Sequence, residues 1–263
     1  MNGDDGELTA QRAAADREWT YGHIVVDEAQ ELTAMDWRML IRRCPSRSFT
    51  IVGDVAQTSA LAGTRRWDKT MNRLFGEGHW DLNELTINYR NPQEVSDLAS
   101  RFAQNEGLYI STVNAVRALP DSVSRHVVDD MKALLTVTSN QAAQLANHFV
   151  SADGTGRIAI ICPNDLIKPV REAVRHRLSS LMAPSEYQRL IDQPEWDEQI
   201  SVCGTEMVKG LEFDAVIVIE PGRIEDDAPS RLVAASDLYV ATTRPTQKLV
   251  IVRTKEDERS LNI

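Results

Sequence analysis

The amino-acid sequence predicts an α/β protein in which parallel sheets are flanked by helices. Short runs of β-branched and aliphatic residues recur along the chain and are continuously apolar, as in strands that are buried on both faces. Stretches of helical pattern separate these runs, so that strand and helix alternate. The strand-like runs are residues 23–26, 48–53, 157–162, 215–220 and 248–252.

The predicted helices lie between these runs, at residues 33–43, 92–105, 140–150, 166–181 and 229–242. Thr33 precedes the first helix and Asn91-Pro92 opens the second, and both are signals that begin helices. The segment 107–135 is mixed in character and fits either extra strands or a linker. Residues 183–199 are rich in proline and acidic side chains, which predicts a surface loop.

Length and composition predict a globular protein of one or two domains. The chain has 263 residues, of which 42% are hydrophobic and 26% charged, so a disordered or collagen-like chain is excluded. No apolar run approaches the length of a membrane span, and the first residues are acidic where a signal peptide would be basic and then apolar. We therefore expect a cytoplasmic protein without membrane contact. Cys44, Cys162 and Cys203 have no metal-ligand spacing, which predicts buried free thiols.

Charge is distributed unevenly along the chain. The net charge of −10 would repel a polyanion if it were spread evenly over the surface. Residues 1–31 hold eight acidic and two basic side chains (−6), whereas residues 38–73 hold eight basic and two acidic ones (+6). Any contact with nucleic acid is expected to begin in the basic segment. The alternative is that these basic side chains are solvated and offset nearby acids.

Two adjacent carboxylates, Asp27 and Glu28, directly follow the first predicted strand. Ligands of parallel sheets bind beyond the carboxyl ends of the strands, so both side chains are expected at the mouth of a cleft. Mg²⁺ is usually held by one or two carboxylates together with substrate phosphates, and a neighbouring carboxylate can activate a water. The pair therefore suits Asp27 as a metal ligand and Glu28 as the water activator. The alternative is two exposed acids at the start of the next helix.

Four further polar clusters accompany this pair. Gly53, Asp54 and Gln57 follow the second predicted strand, so that two strands deliver polar side chains to one rim. The other clusters are LTINYRNP at 85–92, TEMVKGLEFD at 205–214 and LYVATTRP at 238–245.

In this order, the five segments resemble motifs II to VI of superfamily 1 helicases of the UvrD/Rep type, over residues 22–252. The resemblance implies RecA-like domains of the P-loop NTPase type with three-layer αβα architecture. It also implies a 3′–5′ DNA helicase or translocase that uses ATP and Mg²⁺ and binds single-stranded nucleic acid. Residues 27–59 most resemble the actinobacterial HelD-like proteins, ATPases that act on RNA polymerase.

The resemblance implies a role for each matched residue. Asp27 and Glu28 would bind Mg²⁺, Glu28 would activate the attacking water, and Gln57 would sense the γ-phosphate. In the third segment, Tyr89 would stack on adenine and Arg90 would touch the γ-phosphate. In the fourth, Glu212 would approach the ribose, and Lys209 and Gly210 would shape the loop there. In the fifth, Arg244 would be the arginine finger. For each arginine the structural alternative is a surface ion pair.

The sequence departs from the family in lacking a phosphate-binding loop. It contains no G-x-x-x-x-G-K-[ST], and none of its 13 glycines is followed by lysine. Most of the binding energy for the triphosphate is therefore absent. We expect residues 1–85 to be the C-terminal half of a first RecA-like domain, whose N-terminal half is missing, and residues 86–263 to be a complete second one. ATP would then bind between the two domains of a larger protein.

Two differences in spacing refine the expected function. The first tryptophan after Gln57 is Trp67, ten residues further along the chain. Trp67 could stack on a base, beside Arg65 and Arg66, or it could pack in the core, and the sequence leaves both interpretations open. Arg90 and Lys209 are only 119 positions apart, which leaves no room for the large inserted subdomain of UvrD-type enzymes. This favours a translocase or a remodeller of RNA polymerase over a processive helicase.

Two functions remain open from the sequence. One is the C-terminal motor part of an ATP-dependent helicase or translocase that is inactive in isolation. The other is a non-enzymatic module that docks on RNA polymerase or on a helicase partner.

Overall fold

A computed structural model describes residues 19–151, 153–192 and 198–257. The chain divides into two compact units, Met1–Asn83 (unit 1) and Glu84–Ile263 (unit 2). The first part of the acidic segment 1–31 and residues 193–197 of the expected surface loop lie outside the described residues. The assignment of the two units as half of one RecA-like domain and the whole of another stays a prediction.

Unit 1 contains a two-stranded parallel sheet and two helices. Strands β1 (Ile24–Val26) and β2 (Phe49–Ile51) pair in parallel, with Val25 opposite Thr50. Helix α1 spans Ala34–Arg43 and helix α2 spans Trp67–Phe75. Helix α1 begins where the sequence predicts, because the Thr33 side chain accepts the Asp36 N–H and the Asp36 carboxylate accepts the Thr33 N–H.

The core of unit 1 lies on one face of its sheet. Val26, Trp37 and Met71 are buried together there, with Trp67 packed against them. Val25 points to the opposite face, since side chains alternate along a strand, and it is 68% exposed. This face also carries the polar side chains of His23 and Thr50, which are hydrogen-bonded to each other. Among the described residues it is left open, whereas parallel sheets are ordinarily covered on both faces.

Unit 2 is built on a five-stranded, wholly parallel sheet of order β5-β9-β8-β6-β7. Its strands are β5 (Val123–Val128), β6 (Ile158–Ile161), β7 (Ile200–Cys203), β8 (Phe213–Ile219) and β9 (Pro245–Thr254). Strands β3 (Ile87–Pro92) and β4 (Asn114–Arg117) form a separate parallel pair. The helices are α3 (Gln93–Asn105), α4 (Met131–Phe149), α5 (Ile167–Leu181), α6 (Pro184–Ile191), α7 (Pro221–Asp227) and α8 (Arg231–Thr243).

Helices cover both faces of the five-stranded sheet. On one face, Leu134 of α4 and Val170 of α5 pack against alternate residues of β6 and β8. On the other, Leu98 of α3 and Leu238 of α8 pack against the intervening residues. The result is a three-layer αβα unit with RecA-like architecture, which confirms the predicted fold class.

Several elements differ from the sequence prediction. Helix α4 begins at Met131 instead of residue 140, because the Asp130 side chain caps its first turn by accepting the Ala133 N–H. The β-branched residues of its first half had obscured this start. The segment 183–199 is not a surface loop throughout: Pro184, at the first helical position, opens α6, and Gln199 leads directly into β7. The mixed segment 107–135 supplies strands β4 and β5 and the first turn of α4.

All three cysteines are free thiols; Cys44 and Cys162 are buried as expected, whereas Cys203 is half-buried. Within the part of the chain that the structure describes, none of the helices has the length and apolar character needed to cross a bilayer.

Candidate functional site

The predicted carboxylates of unit 1 lie in a tight turn at the carboxyl end of β1. Asp27 and Glu28 are both exposed, and the Asp27 Oδ1 accepts the Glu28 N–H at 2.9 Å. Glu28 has a left-handed backbone conformation, with φ of 49°. Few residues other than glycine adopt this conformation, and such strain concentrates at functional turns. The turn presents both carboxylates to solvent immediately beyond the strand.

A buried amide that the sequence analysis did not single out connects this turn to the next strand. Gln30 is 1% exposed. Its Nε2 donates to Glu28 Oε2 at 2.6 Å, and its Oε1 accepts the Asp54 N–H at 3.2 Å. Gln30 therefore holds the ends of β1 and β2 together through their functional residues. Its nearness to Glu28 in the sequence is the one signal that could have drawn attention to it.

The polar residues after β2 continue this hydrogen-bonded chain. Asp54 accepts the Ala56 N–H through Oδ1 and the Gln57 Nε2–H through Oδ2, both at 3.0 Å. Gly53 lies so close to Gln30 that a Cβ atom there would be 2.4 Å from its Oε1. The structure thus brings Glu28 and Gln57, two of the predicted catalytic residues, into one network through Gln30 and Asp54.

This cluster suits Mg²⁺ only as a partial site. Asp27 and Glu28 are hard oxygen ligands of the kind that Mg²⁺ prefers, and it commonly takes one or two carboxylates and completes its shell with waters and phosphates. Among the described residues, no group of three or more histidine, cysteine, aspartate or glutamate side chains is placed to hold a metal. The residues fit an ion that arrives with a phosphate substrate and do not form a complete cage of their own.

In unit 2 the structure joins two of the five predicted segments, residues 85–92 and residues 205–214. Arg90, in β3, and Glu212, just before β8, form an ion pair with an Nη1–Oε1 distance of 3.0 Å. Tyr89 precedes Arg90 and is 68% exposed, so its ring is open to a ligand. Residues 122 positions apart therefore meet at one place.

Two residues that the sequence analysis missed fix the end of β3 to the start of β9. The buried Asn91 Nδ2 donates to the carbonyls of Thr243 and Pro245, both at 2.8 Å. Arg117 Nη1 donates to the Arg90 carbonyl at 2.6 Å and to the Thr246 carbonyl at 2.7 Å. Buried amides and guanidinium groups are satisfied by such bonds, which also set the position of Arg90 relative to Arg244.

Arg244 is buried at the junction of α8 and β9, with 2% exposure. Its Nε donates to the Val240 carbonyl and its Nη1 to the Leu211 carbonyl, both at 3.3 Å. The guanidinium thus ties α8 to the segment 209–212 instead of facing solvent.

The glycine and lysine of that segment are also placed by the fold. Lys209 Nζ lies 3.7 Å from Asp237 Oδ1 of α8. Gly210 has φ of 69°, and no atom lies within 4 Å of a would-be Cβ, so its backbone conformation and not its space requires glycine. The predicted residues of unit 2 therefore gather at the amino-terminal ends of β8 and β9.

The predicted nucleic-acid residues lie at the start of α2. Arg66 pairs with Asp68 at 2.7 Å, which lowers the pKa of the Asp68 carboxyl. The Trp67 ring packs against the core of unit 1, and its Cζ2 lies 3.1 Å from the position of a Cβ on Gly53. Arg65 is half-buried. The partly buried ring of Trp67 therefore contributes to the core of unit 1, and its stacking on a base stays a prediction.

Comparison with known proteins finds similarity among solved structures. No family model and no curated protein matches the chain. Among solved structures, the C-terminal domain of a possible DNA helicase from Lactobacillus plantarum WCFS1 aligns at 18% identity, covering 66% of this chain and 94% of that chain with a TM-score of 0.44. At that TM-score the similarity carries no functional argument.

Proposed function

We propose that the chain is the C-terminal motor part of an ATP-dependent superfamily 1 helicase or translocase. The observation that carries the proposal is the convergence in unit 2. Arg90, Glu212 and Arg244 come from three segments that resemble successive helicase motifs. Arg90 contacts Glu212, and Arg244 contacts the carbonyl of Leu211, next to Glu212. Sequence resemblance alone does not require these contacts, so their presence supports a shared site.

Unit 1 would contribute the residues that activate water. Asp27 would hold Mg²⁺, which supplies charge neutralisation on the phosphates when it is bound. Gln30 donates to one carboxylate oxygen of Glu28 and fixes its orientation, so the other oxygen would orient the attacking water and take its proton. Gln57 would report the state of the γ-phosphate through Asp54.

Unit 2 would contribute the residues that bind the base and the phosphates. The exposed ring of Tyr89 suits stacking on adenine. Arg90 would turn from Glu212 to the γ-phosphate, which leaves the Glu212 carboxylate for the ribose hydroxyls. Arg244 would act as an arginine finger only after its guanidinium leaves the Leu211 carbonyl. We therefore expect ATP hydrolysis to require a movement of residues 209–212, where Gly210 gives the backbone freedom.

The phosphate-binding loop would come from another segment of the parent protein. This sequence contains no G-x-x-x-x-G-K-[ST]. The open face of the unit 1 sheet, where Val25 is 68% exposed, supports the same expectation, because parallel sheets are ordinarily covered on both faces.

A narrower assignment is a HelD-like ATPase that acts on RNA polymerase, with single-stranded nucleic acid as the other expected partner. The resemblance of residues 27–59 supports it. So does the chain between Arg90 and Lys209, whose described residues belong to the strands and helices of unit 2 itself and leave no separate subdomain. The buried, backbone-bonded Arg244 favours the second candidate, a docking module without ATP chemistry.

Binding of ATP to the chain tests the part of the proposed nucleotide site that unit 2 would contribute. Mg²⁺-ATP is titrated into ¹⁵N-labelled protein, and we expect weak binding that shifts amide resonances near Tyr89, Arg90 and Glu212. Tyr89→Ala should abolish these shifts, and Tyr109→Ala, an exposed tyrosine elsewhere in unit 2, should leave them unchanged. If ATP shifts the same amide resonances in Tyr89→Ala as in the native chain, the proposed adenine site is contradicted.

Hydrolysis separates the two candidate functions. We expect the chain alone to hydrolyse ATP at background rate. In a longer form that carries the phosphate-binding loop, Glu28→Gln should retain ATP and lose hydrolysis, and Arg244→Ala should slow hydrolysis by roughly 10³–10⁵, the effect of losing an arginine finger. A longer form that binds no ATP would support the docking module instead.

A further inference from the structure

The outer face of α1 in unit 1 carries an exposed surface that the proposed ATP chemistry does not use. Met35 and Met39 are 60% and 59% exposed, and Arg38 and Arg42 are exposed beside them. These residues are three and four positions apart, so they form one stripe on the helix, opposite the buried Trp37. The stripe has two apolar and two cationic members.

An aromatic pair lies at the carboxyl-terminal end of this stripe. The Tyr21 N–H donates to the Arg43 carbonyl at 2.7 Å, and Arg43 Nη1 donates to the Trp19 carbonyl at 3.2 Å. The rings of Trp19 and Tyr21 lie 5.4 Å apart, and both are exposed. We refer to this surface as the α1 face; it comprises Trp19, Tyr21, Met35, Arg38, Met39 and Arg42.

The composition of the α1 face is that of a protein interface. Tryptophan, tyrosine, methionine and arginine are the residue types enriched in protein–protein contacts, whereas lysine and the acids are depleted there. Methionine adapts its flexible side chain to different partner surfaces. A solvated helix face would instead carry lysine and glutamate. The one acidic residue of α1, Asp36, is engaged by Thr33 in the helix cap.

Charge identifies the chemistry of the partner. Within the part of the chain that the structure describes, the side chains of Arg38 and Arg42 form no ion pair or hydrogen bond. Guanidinium groups form their strongest pairs with carboxylates, in a bidentate geometry. A phosphate backbone would also satisfy them but would leave Met35 and Met39 uncovered, since phosphates offer no apolar surface. A segment with both carboxylates and apolar side chains satisfies the whole face.

We propose that the α1 face docks an acidic amphipathic segment of a partner protein, with carboxylates one helical turn apart that pair with Arg38 and Arg42. Apolar side chains of the same segment cover Met35 and Met39, and the pair Trp19 and Tyr21 closes one end. This inference stands apart from the ATP chemistry, because the surface lies on the solvent side of α1 and includes none of the nucleotide-binding residues.

A labelled synthetic helical peptide of glutamate and leucine tests the proposal, with a lysine and leucine peptide of the same pattern as its charge control. Fluorescence anisotropy with the full chain should show binding of the acidic peptide and none of the basic one. Arg38→Gln/Arg42→Gln should weaken binding by about tenfold or more. Met35→Ser/Met39→Ser should weaken it by about as much, which separates docking from general charge attraction.

A matched pair of charge reversals provides the control. Arg38→Glu/Arg42→Glu and Arg101→Glu/Lys132→Glu change the net charge by the same amount, and the second pair lies on exposed positions of unit 2. Only the first should abolish binding of the acidic peptide, with the circular dichroism spectra of both unchanged.

Four results of the peptide experiments would overturn the proposal. The acidic peptide could fail to bind, both charge reversals could weaken its binding equally, or the methionine substitutions could leave its binding unchanged. In the fourth result, a single-stranded oligonucleotide that itself needs Arg38 and Arg42 for binding would displace the peptide. The last would assign the face to nucleic acid. If the chain self-associates and Met35→Ser/Met39→Ser abolishes this association, the α1 face would be assigned to a second copy of the chain.

Discussion

Among single residues, Glu225 of α7 has the most consequential environment for pH dependence. Burial and, after it, the nearby charges of Glu106, Asp257 and Asp226 together raise the pKa of its carboxyl to about 7, although Arg231 opposes them. The folded state therefore binds a proton that the unfolded state releases at lower pH. The stability that this proton confers is complete below the unfolded pKa and is lost as the pH rises through about 7.

We expect Glu225→Gln to stabilise unit 2 at pH above 7 and to have little effect at low pH. Because the side chain is partly exposed, solvent screening keeps the gain to about 1 kcal/mol. Thermal unfolding of the variant and the native chain at a series of pH values measures the effect. Glu172→Gln, at an exposed position of α5, is the control and should show no pH-dependent gain. A gain that is equal at all pH values would contradict this explanation.

The two cysteines at the carboxyl ends of β6 and β7 are predicted to be inert. Burial raises the pKa of Cys162 to about 12 and that of Cys203 to about 11, so little thiolate forms at neutral pH. The Cys162 N–H donates to the Cys203 carbonyl, but their side chains pack in core clusters on opposite faces of the sheet. A disulfide between them would need a rearranged sheet.

Thiol labelling at pH 8 checks this prediction. The native chain should react slowly with a disulfide reagent at all three cysteines, and all three should react at once in denaturant. Rapid labelling of Cys203 in the native chain would show that its half-buried side chain is accessible.

At the level of secondary-structure elements, Gln30 connects the ends of β1 and β2. Gln30→Leu removes its bonds to Glu28 and to the Asp54 N–H, and we expect the free energy of unfolding of unit 1 to fall by about 1–3 kcal/mol. Urea unfolding followed by tryptophan fluorescence measures it, since Trp37 and Trp67 lie in this core.

Gln30→Glu is the matched variant. It keeps the acceptor for the Asp54 N–H and places a carboxylate beside that of Glu28, so like charges repel. Its loss of stability should be large at pH 8 and should recover at acidic pH, when one carboxyl is protonated. A loss that does not depend on pH would indicate that packing, and not charge, determines the choice of glutamine.

The turn between α4 and β6 contains two glycines that differ in the space available for a Cβ atom. Gly154 and Gly156 have φ of 89° and 86°, but a Cβ on Gly156 would lie 1.9 Å from the Phe149 carbonyl oxygen, whereas Gly154 has no atom within 4 Å. Gly154→Ala should cost only the backbone strain, about 1–2 kcal/mol. Gly156→Ala should cost clearly more, because the turn must also shift. Thermal unfolding by circular dichroism compares them, and equal losses would contradict the steric argument.

For the whole molecule, the two units are expected to unfold separately. Unit 1 contains a small core and a sheet with an exposed apolar residue, Val25, whereas unit 2 buries a five-stranded sheet between two helical layers. We therefore expect unit 1 to unfold at lower denaturant concentration. The tryptophans at positions 19, 37, 67 and 80 all belong to unit 1, and Trp196 is the one in unit 2.

In a Trp196→Phe variant, fluorescence reports unit 1 alone while far-ultraviolet circular dichroism reports both units. The fluorescence transition should precede the main dichroism transition. Superimposable transitions would show that the two units unfold as one.

The sequence alone determined the α/β class, most strand positions and the candidate residues. Continuous apolar runs such as residues 215–220 reflect burial on both faces, which is a local property of parallel strands. The carboxylates at 27 and 28 follow such a run, so their place at a strand end was also predictable. Where local patterns conflicted, as in the β-branched first half of α4, the prediction of boundaries was wrong.

Only the tertiary structure decided which distant residues meet. The order β5-β9-β8-β6-β7 places non-consecutive strands side by side. Outside that sheet, the packing of β3 near the start of β9 gives the contacts of Arg90 with Glu212 and of Asn91 with the carbonyls of Thr243 and Pro245. Tertiary packing also buried Arg244 in unit 2. In unit 1 it placed Trp67 against the core and made Gln30 the link between two strand ends. Such contacts depend on how layers of strands and helices pack, and sequence periodicity carries no information about partners far away along the chain.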